Sequence, residues 1–531
     1  MKKRRLFFNG RIYTQVAGLH PVESLAVAGN MIVATGKNLK YDVDFSSYDK
    51  IDLQGSAVIP GLVDAHTHFY FIIISMGTVK LDGLNSIEQA LDRIKEHSAK
   101  LGKEEWVVGE GFSPDRWKRF IMPDRLMLDK VTGGRPAAIF SKDQHMLWTN
   151  SKALALAGIS AETPQPAGGA IERFADGSPS GILKEIPGYF PVFKLIGKPA
   201  KSKVSQFHQE AIKEAYARGV TGVHSFDGPD ALPYFQTLSE EKKLGLRINF
   251  YPPAKMTDEL AQKGIRRRFG NDYFQVSGVK IFADGSLGSQ SALCFQKYHG
   301  SKNNFGIETT PKKEIAALIK RASKLNLPAA IHAIGDKAIS NVLDCLEHAP
   351  ALPGGVRHRI EHLQMIRRSD IARVKRLAVV ASMQPTHCPS DVRLIEKYWG
   401  NRGRKCYIFR TLIDRGVHLA FGSDAPIETL HPMAGIEAAV NRLIPGTRKS
   451  FYPEEQISVA EAIFNFTAGP AYAVGQENER GYLLPGYKAD FVIFDENPYI
   501  VPKFKLSSLE PSATFFDGEP VFLRGKISRL F

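Results

Sequence analysis

Apolar and polar positions along the chain fall into distinct regimes. Near both ends, short apolar runs are broken by Gly, Asn and Pro, which predicts strands joined by tight turns. Residues 5–14 read as a strand with an Asn9-Gly10 turn, 24–36 as a hairpin about Gly29-Asn30, and 51–58 as a further β segment. At the other end, 481–495 reads as a turn followed by a strand, and 513–525 as another hairpin. Neither end has strands enough to be stable alone. The expectation is one small β-sandwich built from both chain ends, 1–58 with 476–531.

Between them, short apolar runs alternate with longer helical stretches. The runs are 57–64, 219–226, 246–251, 275–283, 328–333, 356–362, 378–383 and 417–422, with helical candidates such as 204–217, 312–325 and 369–377 between them. Eight such units predict an α/β fold of the (β/α)8 TIM-barrel type over 59–475, with function at the C-terminal ends of its strands. About 150 residues separate the first run from the second. That excess, about 69–210, is expected to form an insertion subdomain over the barrel mouth.

The predicted strand ends carry unusual side chains. The first closes on Asp64-Ala65-His66-Thr67-His68. On an extended chain, residues i and i+2 share a face, so His66 and His68 can aim at one point. With 15 His in 531 residues, chance supplies roughly 0.4 such pairs, so the pair alone is a weak motif. Later ends add Lys280 in an apolar strand, His332, His362 and Asp424. Lys280 reads equally as a salt-bridged lysine, Asp284 being the nearest candidate partner, and each His taken singly as a structural histidine. Together, metal-binding residue types end five of the eight strands, and packing alone gives no reason for that.

Composition narrows the classes. The chain of 531 residues allows two to four domains, and its balance of +15 raises nucleic acid as a partner. The basic residues are dispersed with no aromatic-interleaved basic motif, so a solvated surface is expected and nucleic acid is not. No apolar run is long enough to span a bilayer, and the basic start is followed by only three apolar residues, too few for a signal peptide. Cys294, Cys345, Cys388 and Cys406 are widely spaced, which argues against a disulfide framework or a thiolate zinc site and suits a cytoplasmic location. Oligomeric state is unreadable; a homo-oligomer is compatible with the sequence.

The motifs, in order, resemble those of the amidohydrolase superfamily of metal-dependent hydrolases, and more closely the YtcJ-like group that includes N-substituted formamide deformylase. The matching pieces are 60–68, Asp143-x-His145-x-x-Trp148-x-Asn150, 278–289, 331–336, 358–362, 382–385, 421–426 and 484–490. Gln144 stands where that pattern leads one to expect glycine. The resemblance implies that His66 and His68 bind the more buried metal and that His332 and His362 bind the second. It also implies that a carbamylated Lys280 bridges both, and that Asp424 is a metal ligand and the catalytic proton carrier. One or two divalent ions, zinc by their ligand chemistry, are implied. The implied reaction is attack of metal-bound hydroxide on the carbonyl of a non-peptide amide or formamide-like C–N bond in a small molecule. Asp143 and His145 are the substrate-binding candidates in the insertion, where a loop hydrogen-bond network is the competing reading.

Two rival readings stand beside this one. His358-Arg-Ile-Glu-His362 matches the inverted zinc-peptidase motif, which needs a helix to bring both histidines to one face. The alternative to any enzyme is a non-catalytic regulatory or binding member of the same fold.

Overall fold

The computed structural model describes residues 3–114, 117–142, 144, 146–166, 169–197 and 201–531. The fold is mixed α/β. It divides into two compact units, one made of Met1–Tyr70 with Ile212–Phe531 and the other of Phe71–Ala211.

In the first unit, two sheets bring the chain ends together. One comprises Arg4–Phe8, Ser24–Ala28, Met31–Gly36 and Asp49–Asp52. The other joins Arg11–Ile12 and Ala57–Pro60 to the C-terminal strands Phe491–Phe494, Ala513–Phe516 and Glu519–Leu523. At Asn9, which takes φ 58°, the chain passes from one sheet to the other instead of folding back as a hairpin. Phe7, Leu25, Val27, Ile51, Val58, Phe491, Ile493 and Phe515 form the shared apolar core. Phe491 and Phe515 stack at 4.4 Å between centroids, with Phe7 edge-on to both.

The apolar run expected at 57–64 is two strands. Ala57–Pro60 pairs antiparallel with Phe491–Phe494, whereas Leu62–Thr67 pairs parallel with Val220–Ser225. Gly61 separates them, so one continuous run serves two sheets. Leu62–Thr67, Val220–Ser225, Arg247–Phe250 and Phe274–Val276 lie side by side in parallel. Val279–Phe282, Ala329–Ala333, Arg359–His362, Val380–Met383 and Leu419–Phe421 form a second parallel series. Burial runs through nearly every position of these strands, the mark of sheets covered on both faces.

The series meet twice, through isolated parallel bridges Thr67–Ala425 and Pro253–Lys280. The fourth expected run, 275–283, is likewise divided. It breaks at Ser277-Gly278, where a side chain on Gly278 would come within 2.5 Å of Pro328 O and of the Tyr251 ring. Helices Lys201–Ala217, Lys312–Ser323 and Arg368–Arg376 occupy the expected intervals.

The second unit has its own six-stranded sheet, in the order Ala170–Arg173, Pro179–Lys184, Met146–Thr149, Ala137–Ser141, Val107–Phe112 and Val79–Lys80. Its strands alternate between two cores. Ala137, Ile139, Trp148 and Ile182 pack on one face, and Ala138, Leu147 and Leu183 on the other, as a period of two requires. Gln144 takes φ 60°, the left-handed conformation that glycine adopts most easily. The expected glycine thus reflected a backbone need, which a glutamine meets here. No described helix is long and apolar enough to cross a membrane, and all four cysteines are free and buried.

Candidate metal centre

Strand Leu62–Thr67 ends in His66 and His68, and the loop after Leu419–Phe421 delivers Asp424 beside them. His66 Nε2 lies 3.4 Å and His68 Nε2 3.3 Å from Asp424 Oδ1. Gly422 makes this approach possible. A Cβ there would sit 2.3 Å from His66 N and 2.7 Å from Asp64 Oδ1, so the glycine is needed for contact between neighbouring strands. Asp424 itself sits at φ 61°.

His362, at φ 69°, closes strand Arg359–His362 with its ring 5.1 Å from that of His66. Two polar residues in the left-handed region, at the ends of two strands that feed one centre, are strained backbone of the kind that clusters at functional sites. One donor atom each from His66, His362 and Asp424 lies within 4.8 Å of the others. His332 packs against His362 at 4.6 Å between centroids, and its Nε2 is 3.1 Å from Gly285 O.

Lys280 is buried at the same level. Its Nζ stands 4.6 Å over the Phe226 ring and 5.0 Å over Phe282, and Phe226 stacks on His66 at 4.4 Å. The suggested pairing with Asp284 does not occur among the described residues. Asp284 instead accepts backbone N–H groups of Leu293, Ile334 and Gly335 at 2.8–3.0 Å. Asp143 and His145 lie outside the described residues.

The electrostatics suit a cation. Burial, with the Lys280 charge, pushes the His66 imidazole down to about 4, and the same causes take His332 to about 3. Burial and His332 hold His362 well below its ordinary value. These rings are therefore neutral near pH 7, the form that ligates metals. Burial opposes ionisation of Asp424, but His66, His68 and His362 outweigh it and hold the carboxyl well below the usual range. Burial alone would lower His68, but its hydrogen bond to Asp424 wins and raises it. Burial lowers Lys280 from 10.5 to about 8. Neutral imidazole nitrogens converging with an ionised carboxylate form a donor set that fits a zinc-class divalent ion.

Beneath the strand ends lies a layer that sequence reasoning left without a role. Glu361 Oε2 is 2.5 Å from His66 Nδ1. Arg359 holds Glu361 through Nε at 2.6 Å, and donates to Ala65 O at 2.6 Å, Ser382 Oγ at 2.5 Å and His224 Nδ1 at 2.7 Å. Both charged side chains are completely buried. Asp64 Oδ1 accepts the N–H groups of His66 at 3.0 Å and Ser423 at 2.9 Å, tying two strand ends together. The signal for all three was present as charged residues inside apolar strands. His387, two residues beyond the motif at 382–385, also reaches the centre: its Nε2 is 4.0 Å from Asp424 Oδ2.

The peptidase reading fails on geometry. Arg359–His362 is a strand, so His358 and His362 are about 13 Å apart along it instead of one helical turn. His358 Nδ1 accepts the N–H of Ala329 at 3.0 Å.

Comparison with known proteins shows the family. A profile described as "Amidohydrolase family" matches residues 49–522. The Bacillus subtilis protein described as "Putative amidohydrolase YtcJ" is 30% identical, over 98% of this chain and 99% of its own. N-substituted formamide deformylase of Arthrobacter pascens is 25% identical over 97% of each. The crystal structure of an uncharacterized metal-dependent hydrolase from Pyrococcus furiosus superposes with TM-score 0.78 at 28% identity, over 93% of this chain and 100% of that one. The chain belongs to the amidohydrolase family, and a hydrolase role accompanies that membership.

Proposed function

We propose that this protein is a metal-dependent amidohydrolase that cleaves a non-peptide C–N bond, amide or formamide-like, in a small molecule. The observation that carries the reading is the convergence of His66, His362 and Asp424 donors within 4.8 Å at the ends of three strands. The family supports the hydrolase class, and the deformylase relative supports this bond type. The two parallel series, bridged at Thr67–Ala425 and Pro253–Lys280, are read as one barrel of eight strands, the fourth divided at Ser277-Gly278 into two segments.

His66 and His68 would hold one ion and His332 and His362 a second, with Asp424 as a further ligand. A carbamylated Lys280 would give the anionic oxygen between them that an ammonium, with no lone pair, does not. A divalent ion bound there supplies Lewis acidity toward a carbonyl oxygen and makes a coordinated water acidic enough to lose its proton near neutral pH. The protein's own groups do the rest. Asp424, ionised and beside the histidines, accepts a proton from water and returns it to the departing nitrogen. Glu361 holds the His66 ring through Nδ1, so that Nε2 faces Asp424 and the ion.

The test joins metal analysis to turnover. Protein purified without chelators should carry one or two equivalents of divalent metal. On a panel of N-substituted formamides, N-acyl amines, cyclic amides and dipeptides, it should hydrolyse non-peptide members. Full metal with no turnover of any member would favour a binding protein on the same fold, and turnover confined to dipeptides would overturn the bond assignment.

A further inference from the structure

His387 is a histidine at the centre that the ligand scheme above does not use. It opens helix His387–Tyr398, directly after strand Val380–Met383. Its ring lies nearly parallel to that of His362, 6.0 Å away at 16°. The side chain is 15% exposed, and Nε2 is buried with no hydrogen-bond partner among the described residues. A buried, unmatched ring nitrogen costs stability unless something arrives to pair with it.

What could arrive follows from the two oxygens of Asp424. Oδ1 faces the Nε2 atoms of His66 and His68 at 3.4 and 3.3 Å, while Oδ2 faces His387 Nε2 at 4.0 Å. The last gap is too long for a direct hydrogen bond. It is suited to a substrate atom standing to one side and reaching both groups. Given the proposed reaction, that atom is the departing nitrogen, because Asp424 must deliver its proton there.

We propose that His387 is a specificity-determining residue that accepts, at Nε2, the N–H of a secondary amide or formamide and so presents that nitrogen to Asp424 Oδ2. This rests on the amide-hydrolysis reading above. As the carbonyl carbon becomes tetrahedral, the nitrogen lone pair is freed from conjugation. The C–N bond breaks with its electron pair going to nitrogen, and Asp424 supplies the proton it took from water. The original N–H stays on nitrogen, held by His387, and the product leaves as a primary amine while water's oxygen remains on the acid. A tertiary amide has no N–H to offer and loses this contact.

The experiment compares N-benzylformamide with N-benzyl-N-methylformamide in the metal-loaded wild type, His387→Leu and His387→Gln. Metal stoichiometry is measured in each protein. The wild type should favour the N–H compound in kcat/KM, and His387→Leu should shrink that preference roughly tenfold, the discrimination one hydrogen bond supplies. The glutamine variant, which keeps an acceptor, should restore much of it. Metal content should be equal in all three. Equal slowing of both compounds would overturn the assignment and leave His387 a packing partner of His362, and lost metal would overturn it in favour of a ligand role. If the wild type binds both compounds but hydrolyses neither, the reading of the bond class fails, and the ratio of dissociation constants from calorimetry judges His387 by the same criterion. Failure to bind either compound would overturn the assignment.

Discussion

Glu361 Oε2 stands 2.5 Å from His66 Nδ1 with both side chains fully buried. This relationship settles which ring nitrogen of His66 is free, because a carboxylate at Nδ1 holds the proton there and leaves Nε2 as the donor atom. Burial opposes the Glu361 charge, but Arg359 and His66 more than compensate and keep its carboxyl well below the usual range. Glu361→Gln keeps an oxygen that can accept from Nδ1 but leaves buried Arg359 without its counter-charge, so it should lower stability and weaken metal binding about 10- to 100-fold. Chelator competition followed by elemental analysis checks it. Undiminished affinity would make Glu361 a partner of Arg359 only. Glu361→Ala should also destabilise the protein by roughly 3–5 kcal/mol, since Arg359 would remain buried without its counter-charge.

Replacing both His66 and His68 by Ala removes two nitrogen donors beside Asp424. Protein purified without chelators should lose at least one equivalent of metal relative to wild type. Metal content unchanged in the double variant would exclude the pair as ligands.

Asp424→Asn preserves shape and abolishes proton exchange. Turnover should fall by roughly 10²–10⁴, the usual share of acid–base catalysis, with histidine-bound metal retained. Loss of metal as well would make Asp424 chiefly a ligand, and near-normal turnover would assign the proton to another group.

Lys280→Ala should abolish activity. Short carboxylic acids added to the variant should restore part of it if they replace an anionic oxygen between two ions. Activity equal to wild type in the variant would remove Lys280 from the centre.

The fold's sensitivity to acid has a separable component at His358. Burial lowers its pKa from 6.5 to about 4, and its neutral Nδ1 accepts the Ala329 N–H. Between about pH 6.5 and 4 the unfolded chain binds a proton there that the folded chain does not, so this contribution to stability falls as pH falls. His66 and His332 act with the same sign. Asp64 and Asp284, raised by burial to about 7, act with the opposite one. His358→Asn keeps an acceptor in place of Nδ1 and does not titrate. In urea titrations of metal-free protein, wild type should lose stability relative to this variant as pH drops from 7 to 4. Parallel curves would show that His358 is not the titrating group.

The amino-acid pattern alone was enough to place the parallel strands, the helices between them and the β segments at both ends, because apolar periodicity and turn residues are local properties of the chain. His66, His68, His332, His362 and Asp424 stood out as candidates for the same reason, as polar groups closing apolar runs, and Lys280 as a charge inside one. Tertiary structure decided what local pattern leaves open. The run 57–64 splits between two sheets because the partners of Ala57–Pro60 lie more than 400 residues away, in Phe491–Phe494. The segment 358–362 fits helix or strand periodicity equally, and pairing with Ala329–Ala333 and Val380–Met383 made it a strand. The roles of Arg359, Glu361 and His387 rest on distances between segments far apart in the chain. Such distances depend on which chain segments pack together, and no spacing along the sequence encodes them.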